Sequence, residues 1–239
     1  MTQNFSNAQS QPAIADQRPE KKPRIILSEK IGDRPHSLYS FPPNREILGG
    51  TSYLIVGNVN VLVDCPAWDD TTRRFLEEQG GVDWIFLTHR DSFGQVRELQ
   101  QALNCKVLVQ EQEAYLLPGM SVVTFEQEFE IDAMTRVIWT PGHSPGSSCL
   151  YYAGFGGVLF TGRHLLPNPQ GALMPVKTAK TFHWPRQLNQ VQRLMDKFSS
   201  ETLEYVCPGA NLGFLRGKYA IANAYHHLQH SLDTLQDNS

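Results

Sequence analysis

No uninterrupted apolar run in the chain approaches the roughly 18 residues that a membrane span needs, so no spanning helix is expected. Cysteine is scarce too. Cys65, Cys105, Cys149 and Cys207 stand far apart with no CxxC pair, which leaves buried reduced thiols as the expectation. Neither sign of charge is in marked excess: a net charge of −3 over 239 residues gives no electrostatic case for nucleic acid or an anionic membrane. The opening MTQNFSNAQSQPAIADQ lacks the basic-then-apolar order of a secretory signal, and a soluble cytoplasmic protein is the expectation. The partner is then a small molecule or another protein, and charge does not say which.

The hydrophobic share of 41% and charged share of 19% suit one globular unit with a substantial core. Residues 1–24, rich in Gln, Asn, Ser and Pro and closing on PEKKPR, cannot bury enough apolar surface to offset ordering entropy. They are read as a disordered tail, and 25–239 as a single domain.

After the tail, SLYSF, TSYLIVG and NVNVLVDC read as strands, with Gly57-Asn58 marking a hairpin turn. DDTTRRFLEEQGG carries Asp cap candidates and terminal glycines around a helical body, and the strand VDWIFLT follows. A helix over 95–103, the strand CKVLVQ and four short strands SVVTF, TRVIWT, SCLYYAG and GVLFTG come next. Residues 167–181 read as a loop, WPRQLNQVQRLMDKF as a helix and LEYVCPG as a strand. A last helix is expected from about Gly217, with Ile221, Tyr225, Leu228, Leu232 and Leu235 as its apolar stripe. His226 and His230 lie off that stripe with no third ligand nearby and read as surface residues.

Four segments carry the chemistry: VLVDCP (61–66), FLTHRDSFGQV (86–96), WTPGHSPGSSCLYY (139–152) with VLFTGRHLL (158–166), and YVCPGANLG (205–213). In order and kind they resemble the markers of the metallo-β-lactamase-like hydrolase superfamily: an Asp-bearing strand, an H-x-H-x-D-H loop, a T-P-G-H-[TS]-x-G loop, an F-[TS]-G-D loop and a P-G-H turn. The resemblance implies an α/β fold, an αββα sandwich of two mixed β-sheets packed face to face with helices outside. It also implies a pocket that, in the hydrolases of the family, holds two metal ions on histidines and carboxylates.

By the same resemblance, His89 and His143 match family histidines, while Asp91 stands at a histidine position where it can still coordinate. Phe93, Gly94 and Ala210 stand at ligand positions with side chains that cannot ligate, Phe93 filling space beside the site. Arg163 occupies the place of the carboxylate shared between the metals, and a charge-assisted pair between Arg163 and Asp91 is expected to replace metal charge. Asp64 is expected to hydrogen-bond a loop beneath the site, and His164 and His183 complete the candidate pocket.

Three functional readings follow. In the first, the scaffold has lost its dinuclear centre, needs no cofactor and acts as a non-hydrolytic binding or regulatory protein. In the alternative, His89, Asp91 and His143 hold one zinc, iron or manganese ion and the chain hydrolyses an ester, thioester or related bond, with His164 or His183 as fourth ligand or general base. The third is metal-free chemistry with a histidine base and Arg163 as anion clamp, in which Cys207 has only its position in its favour. Nothing in the sequence names a substrate.

Overall fold

The computed structural model describes residues 22–237; the expected tail lies outside them up to residue 21. The first sheet takes its seven strands in chain order. They are β1 (Arg24–Ile31), β2 (Arg34–Ser40), β3 (Tyr53–Val56), β4 (Val61–Val63), β5 (Trp84–Phe86), β6 (Lys106–Gln110) and β7 (Val123–Phe125). Pairing is antiparallel through β4 and parallel from β4 to β7. The change of direction follows from the connections. The short 57–60 turn can only return the chain antiparallel, whereas α1 (Asp70–Glu78), α2 (Val96–Leu103) and the single turn α3 (Glu111–Ala114) sit between parallel neighbours. The side chain of Asp69 caps α1 by accepting from Thr72 N at 2.7 Å.

The second half begins with β8 (Glu128–Glu130), β9 (Thr135–Trp139), β10 (Ser148–Tyr152) and β11 (Val158–Gly162). A two-residue-per-strand hairpin, β12 (Leu166–Pro167) and β13 (Leu173–Met174), follows, then α4 (Trp184–Lys197), β14 (Tyr205–Pro208), β15 (Ile221–Ala222) and α5 (Ala224–Asp237). The six-stranded sheet runs β15-β14-β11-β10-β9-β8, with β11 and β14 parallel and the other pairs antiparallel.

Strand alternation divides the core into three layers. Tyr53, Ile55, Val61 and Val63 point between the sheets, where they meet Phe86, Leu150 and Phe160. Leu54 and Leu62, one residue out of phase, point the other way and pack with Leu76 of α1 and Leu99 of α2. On the far face, Leu159 and Val206 meet Val191 and Leu194 of α4 and Leu228 of α5. Helix, sheet, sheet, helix is the layer order, the αββα sandwich expected. All four cysteines are buried free thiols, and among the described residues no helix is long and apolar enough to cross a membrane.

The last helix starts at Ala224, seven residues later than the apolar spacing predicts. Ile221 belongs to β15 and pairs with Val206, and Asn223 takes a left-handed φ of 53° that separates strand from helix. Strand β1 was not read from RIILSEKI, because none of its residues is fully buried and no alternation marks it.

Candidate metal site

Three hydrogen bonds gather the candidate loops. Ser148 N donates to Thr88 O, Gly209 N to Gly162 O and Thr51 N to Gly209 O, each at 2.8–2.9 Å. Two glycines permit the close approach: a Cβ on Gly162 would lie 2.4 Å from Thr88 Oγ1, and one on Gly142 would lie 2.4 Å from Gln187 Cα.

His89 follows β5 in extended backbone, and a single 3-10 turn at Arg90–Ser92 brings Asp91 round beside it. Ser92 closes that turn, its Oγ donating to His89 O at 2.7 Å. His143 sits in the loop after β9, where Ser144 N donates to Ser147 Oγ and Gly146 N to the buried carboxylate of Glu113 at 3.0 Å. The two imidazoles meet edge to face with centroids 5.0 Å apart. One donor atom from each of His89, Asp91 and His143 lies within 4.8 Å of the other two.

Asp64 sets the state of His89. Its backbone is left-handed (φ 59°), and its two oxygens accept from Thr88 N and Thr88 Oγ1, both at 2.8 Å. Burial raises the Asp64 carboxyl to about 6, against which the Thr88 bonds work, so it is mostly ionised at neutral pH. An ionised carboxylate only accepts, so the Thr88 hydroxyl gives it its one proton. Thr88 Oγ1, 2.8 Å from His89 Nδ1, must then accept from Nδ1–H. That tautomer leaves the Nε2 lone pair free, and Nε2 is buried without a hydrogen-bond partner. Burial, and then the neighbouring His143, holds His89 well below the ordinary imidazole range; burial and then Arg163 bring His143 down to about 4. Both are neutral at pH 7, the form that ligates metal.

Residues 45–197 match the metallo-beta-lactamase superfamily profile. The chain belongs to that superfamily. No curated protein matches it. Among solved structures, an archaeal metallo-beta-lactamase superfamily protein, ST1585 from Sulfolobus tokodaii, is 19% identical with a TM-score of 0.56, over 83% of this chain and 86% of that one. TTHA1623 in a di-iron-bound form is 21% identical with a TM-score of 0.61, over 78% and 96%. A quorum-quenching N-acyl homoserine lactone lactonase is 18% identical with a TM-score of 0.54, over 72% and 90%. At these identities the likeness shows the shared fold.

Not every candidate residue of this metallo-beta-lactamase superfamily chain joins the three donors. Arg163 does not pair with Asp91 as expected: its Nη2 donates to Ile47 O and Leu48 O at 3.3 and 3.1 Å. The partner of Asp91 is Lys180, with Nζ 3.3 Å from Oδ1. Each side chain has another partner, two backbone carbonyls for Arg163 and the loop residue Lys180 for Asp91. His183 is exposed, and its Nδ1 accepts from Arg186 N at 3.1 Å as the cap of α4, so that nitrogen serves the helix. His164 is fully buried; neither ring nitrogen has a partner, and burial followed by the proximity of His143 lowers it to about 3. It lies outside the three-donor group. Phe93 packs into the cluster with α1 and α2, on the helix side of the first sheet.

Glu113, Thr88 and Lys180 were missed. Glu113 lies in a helix of one turn with no periodicity to mark it, and Lys180 in a loop whose approach to Asp91 no local pattern encodes. The Thr88 hydroxyl was the one legible signal, since it adjoins His89 in the chain.

Proposed function

We propose that the chain is a metallo-hydrolase of an ester, thioester or related bond that works with one zinc, iron or manganese ion on His89, Asp91 and His143. One observation carries the reading: the three donors converge within 4.8 Å although His143 comes from a loop far along the chain from the one that carries His89 and Asp91. Two neutral imidazoles and a carboxylate, with an orphaned ligand nitrogen on His89, fit a single divalent ion with open positions. A bound ion of this kind supplies an acidified water and polarises a carbonyl oxygen. The chain's own residues do the rest. Asp64 and Thr88 hold the His89 tautomer, and Glu113 holds the loop of His143 through Gly146 N–H. Asp91, in ion-pair contact with Lys180, keeps a second oxygen for coordination.

We infer one ion rather than two because Arg163 brings a permanent positive charge to the position that, by resemblance, a shared carboxylate would fill, and Ala210 offers no donor. The solved relative in a di-iron-bound form and the lactonase relative support metal-dependent hydrolysis as the chemistry this fold accommodates. The converged donors favour this reading over a scaffold that binds without turnover. Purification without chelator, followed by elemental analysis, is expected to find close to one ion per chain. Protein that arrives metal-free and takes up neither zinc, iron nor manganese would sink the proposal.

A further inference from the structure

Resting on that reading of the site, we propose that Arg163 and Lys180 form an oxyanion clamp beside the three donors, so that the substrate carries a carboxylate or phosphate group. Arg163 leaves β11 immediately after Gly162, whose backbone is pressed against Thr88, the residue that holds His89. Its Nη2 is pinned on Ile47 O and Leu48 O, which fix the guanidinium without neutralising it. Its Nε is buried with no partner. Among the described residues no carboxylate lies within ion-pair distance of Arg163. A part-buried guanidinium oriented by carbonyls and in no ion pair has Nη1 left for an oxyanion, since Nη2 is held by the carbonyls and Nε has no exposed surface.

Lys180 supplies the second cation. It enters from the loop before α4, its side chain 55% exposed, and contacts Asp91. Asp91 takes one of the three N–H donors of the ammonium and leaves the others for an incoming anion. Both cations, with Arg90, act electrostatically on His89 and His143. Against these three positive charges stand Asp91, the buried Asp64 and the buried Glu113, which interacts with Arg90, so the clamp rests on where the two cations sit beside the donors and not on a net positive charge.

The test is calorimetric titration of inorganic phosphate and of acetate into wild type, Arg163→Gln and Lys180→Ala, each metal-free and metal-loaded. Wild type is expected to bind at least one anion in the metal-free form, weakened about tenfold or more in each variant, the loss expected for a charged hydrogen bond. Phosphate alone binding marks a phosphate-bearing substrate, and acetate alone a carboxylate-bearing one. Equal binding by wild type and both variants, or no anion binding at all, overturns the clamp. Lys180 is on the surface, so its variant carries the test if Arg163→Gln does not fold. Anion binding without metal uptake would overturn the hydrolase reading and leave the clamp; metal uptake without anion binding does the reverse.

Discussion

Replacing His143 by Ala is expected to abolish metal retention and hydrolysis together. Metal affinity should fall by well over a hundredfold, since even the outer partners of metal ligands are worth about 10–100-fold. The physical reason is the ligand count. Three donors converge here, and removal of one imidazole leaves a histidine and a carboxylate that is already in contact with Lys180. The loop itself should survive, because its bonds are made by the His143 carbonyl, which accepts from Phe182 N, and by Ser144, Ser147 and Gly146. Unchanged circular dichroism with lost metal is therefore the expected pair of readings, and full activity in this variant would remove the proposed site. Asp64→Asn is a finer form of the same experiment. An Asn NH2 can donate to Thr88 Oγ1, which frees the hydroxyl proton for His89 Nδ1 and drives the imidazole proton to Nε2, where it blocks coordination. Metal affinity should drop about 10–100-fold with no donor atom removed.

Acidification is expected to destabilise the chelated protein well before its carboxylates would ordinarily titrate. Burial keeps His164 at about 3 and His143 at about 4 in the fold, and His89 well below the usual range, whereas the unfolded chain takes up these protons near 6.5. Below that value the unfolded state binds more protons than the native one, so stability falls as pH falls, by up to about 1.4 kcal/mol per pH unit for each histidine. Asp64 acts in the opposite sense. Its carboxyl, raised from 3.8 to about 6, holds a proton in the fold that the unfolded chain releases, which adds stability as pH drops through that interval. Glu113, also raised by burial, acts in the same sense. Three histidines outweigh two carboxyls, leaving a net loss of roughly 1–3 kcal/mol per pH unit between pH 6 and 4. Urea unfolding in EDTA across that range measures it directly; a flat or rising stability below pH 6 would contradict it. His164→Leu should remove about 1.4 kcal/mol per pH unit of the slope, because His164 stays neutral in the fold across the whole window.

Most of the strands and the helix caps were legible because they depend on near neighbours. Alternation in TSYLIVG and NVNVLVDC sorted residues between two faces, and Asp69 capped α1 three residues from its bond. What failed depended on partners distant in sequence. Ile221 continues a helical stripe in spacing yet is held in a strand by Val206. Arg163 and Asp91 look like a pair by charge, yet each found another partner, two backbone carbonyls for one and Lys180 for the other. His183, chosen as a pocket residue by type, spends its Nδ1 on the end of α4.

By itself the sequence determined the superfamily and the sandwich, and it named the two histidines and one carboxylate proposed as ligands, because residue type and loop pattern are local properties. Only the tertiary structure decided that those donors meet within 4.8 Å, that Thr88 and Asp64 leave Nε2 of His89 free, and that Arg163 rests on two backbone carbonyls and in no ion pair with Asp91. Coordination, tautomer and ion pairing each depend on distances of a few ångströms between segments far apart in the chain, and those distances exist only once the two sheets have packed.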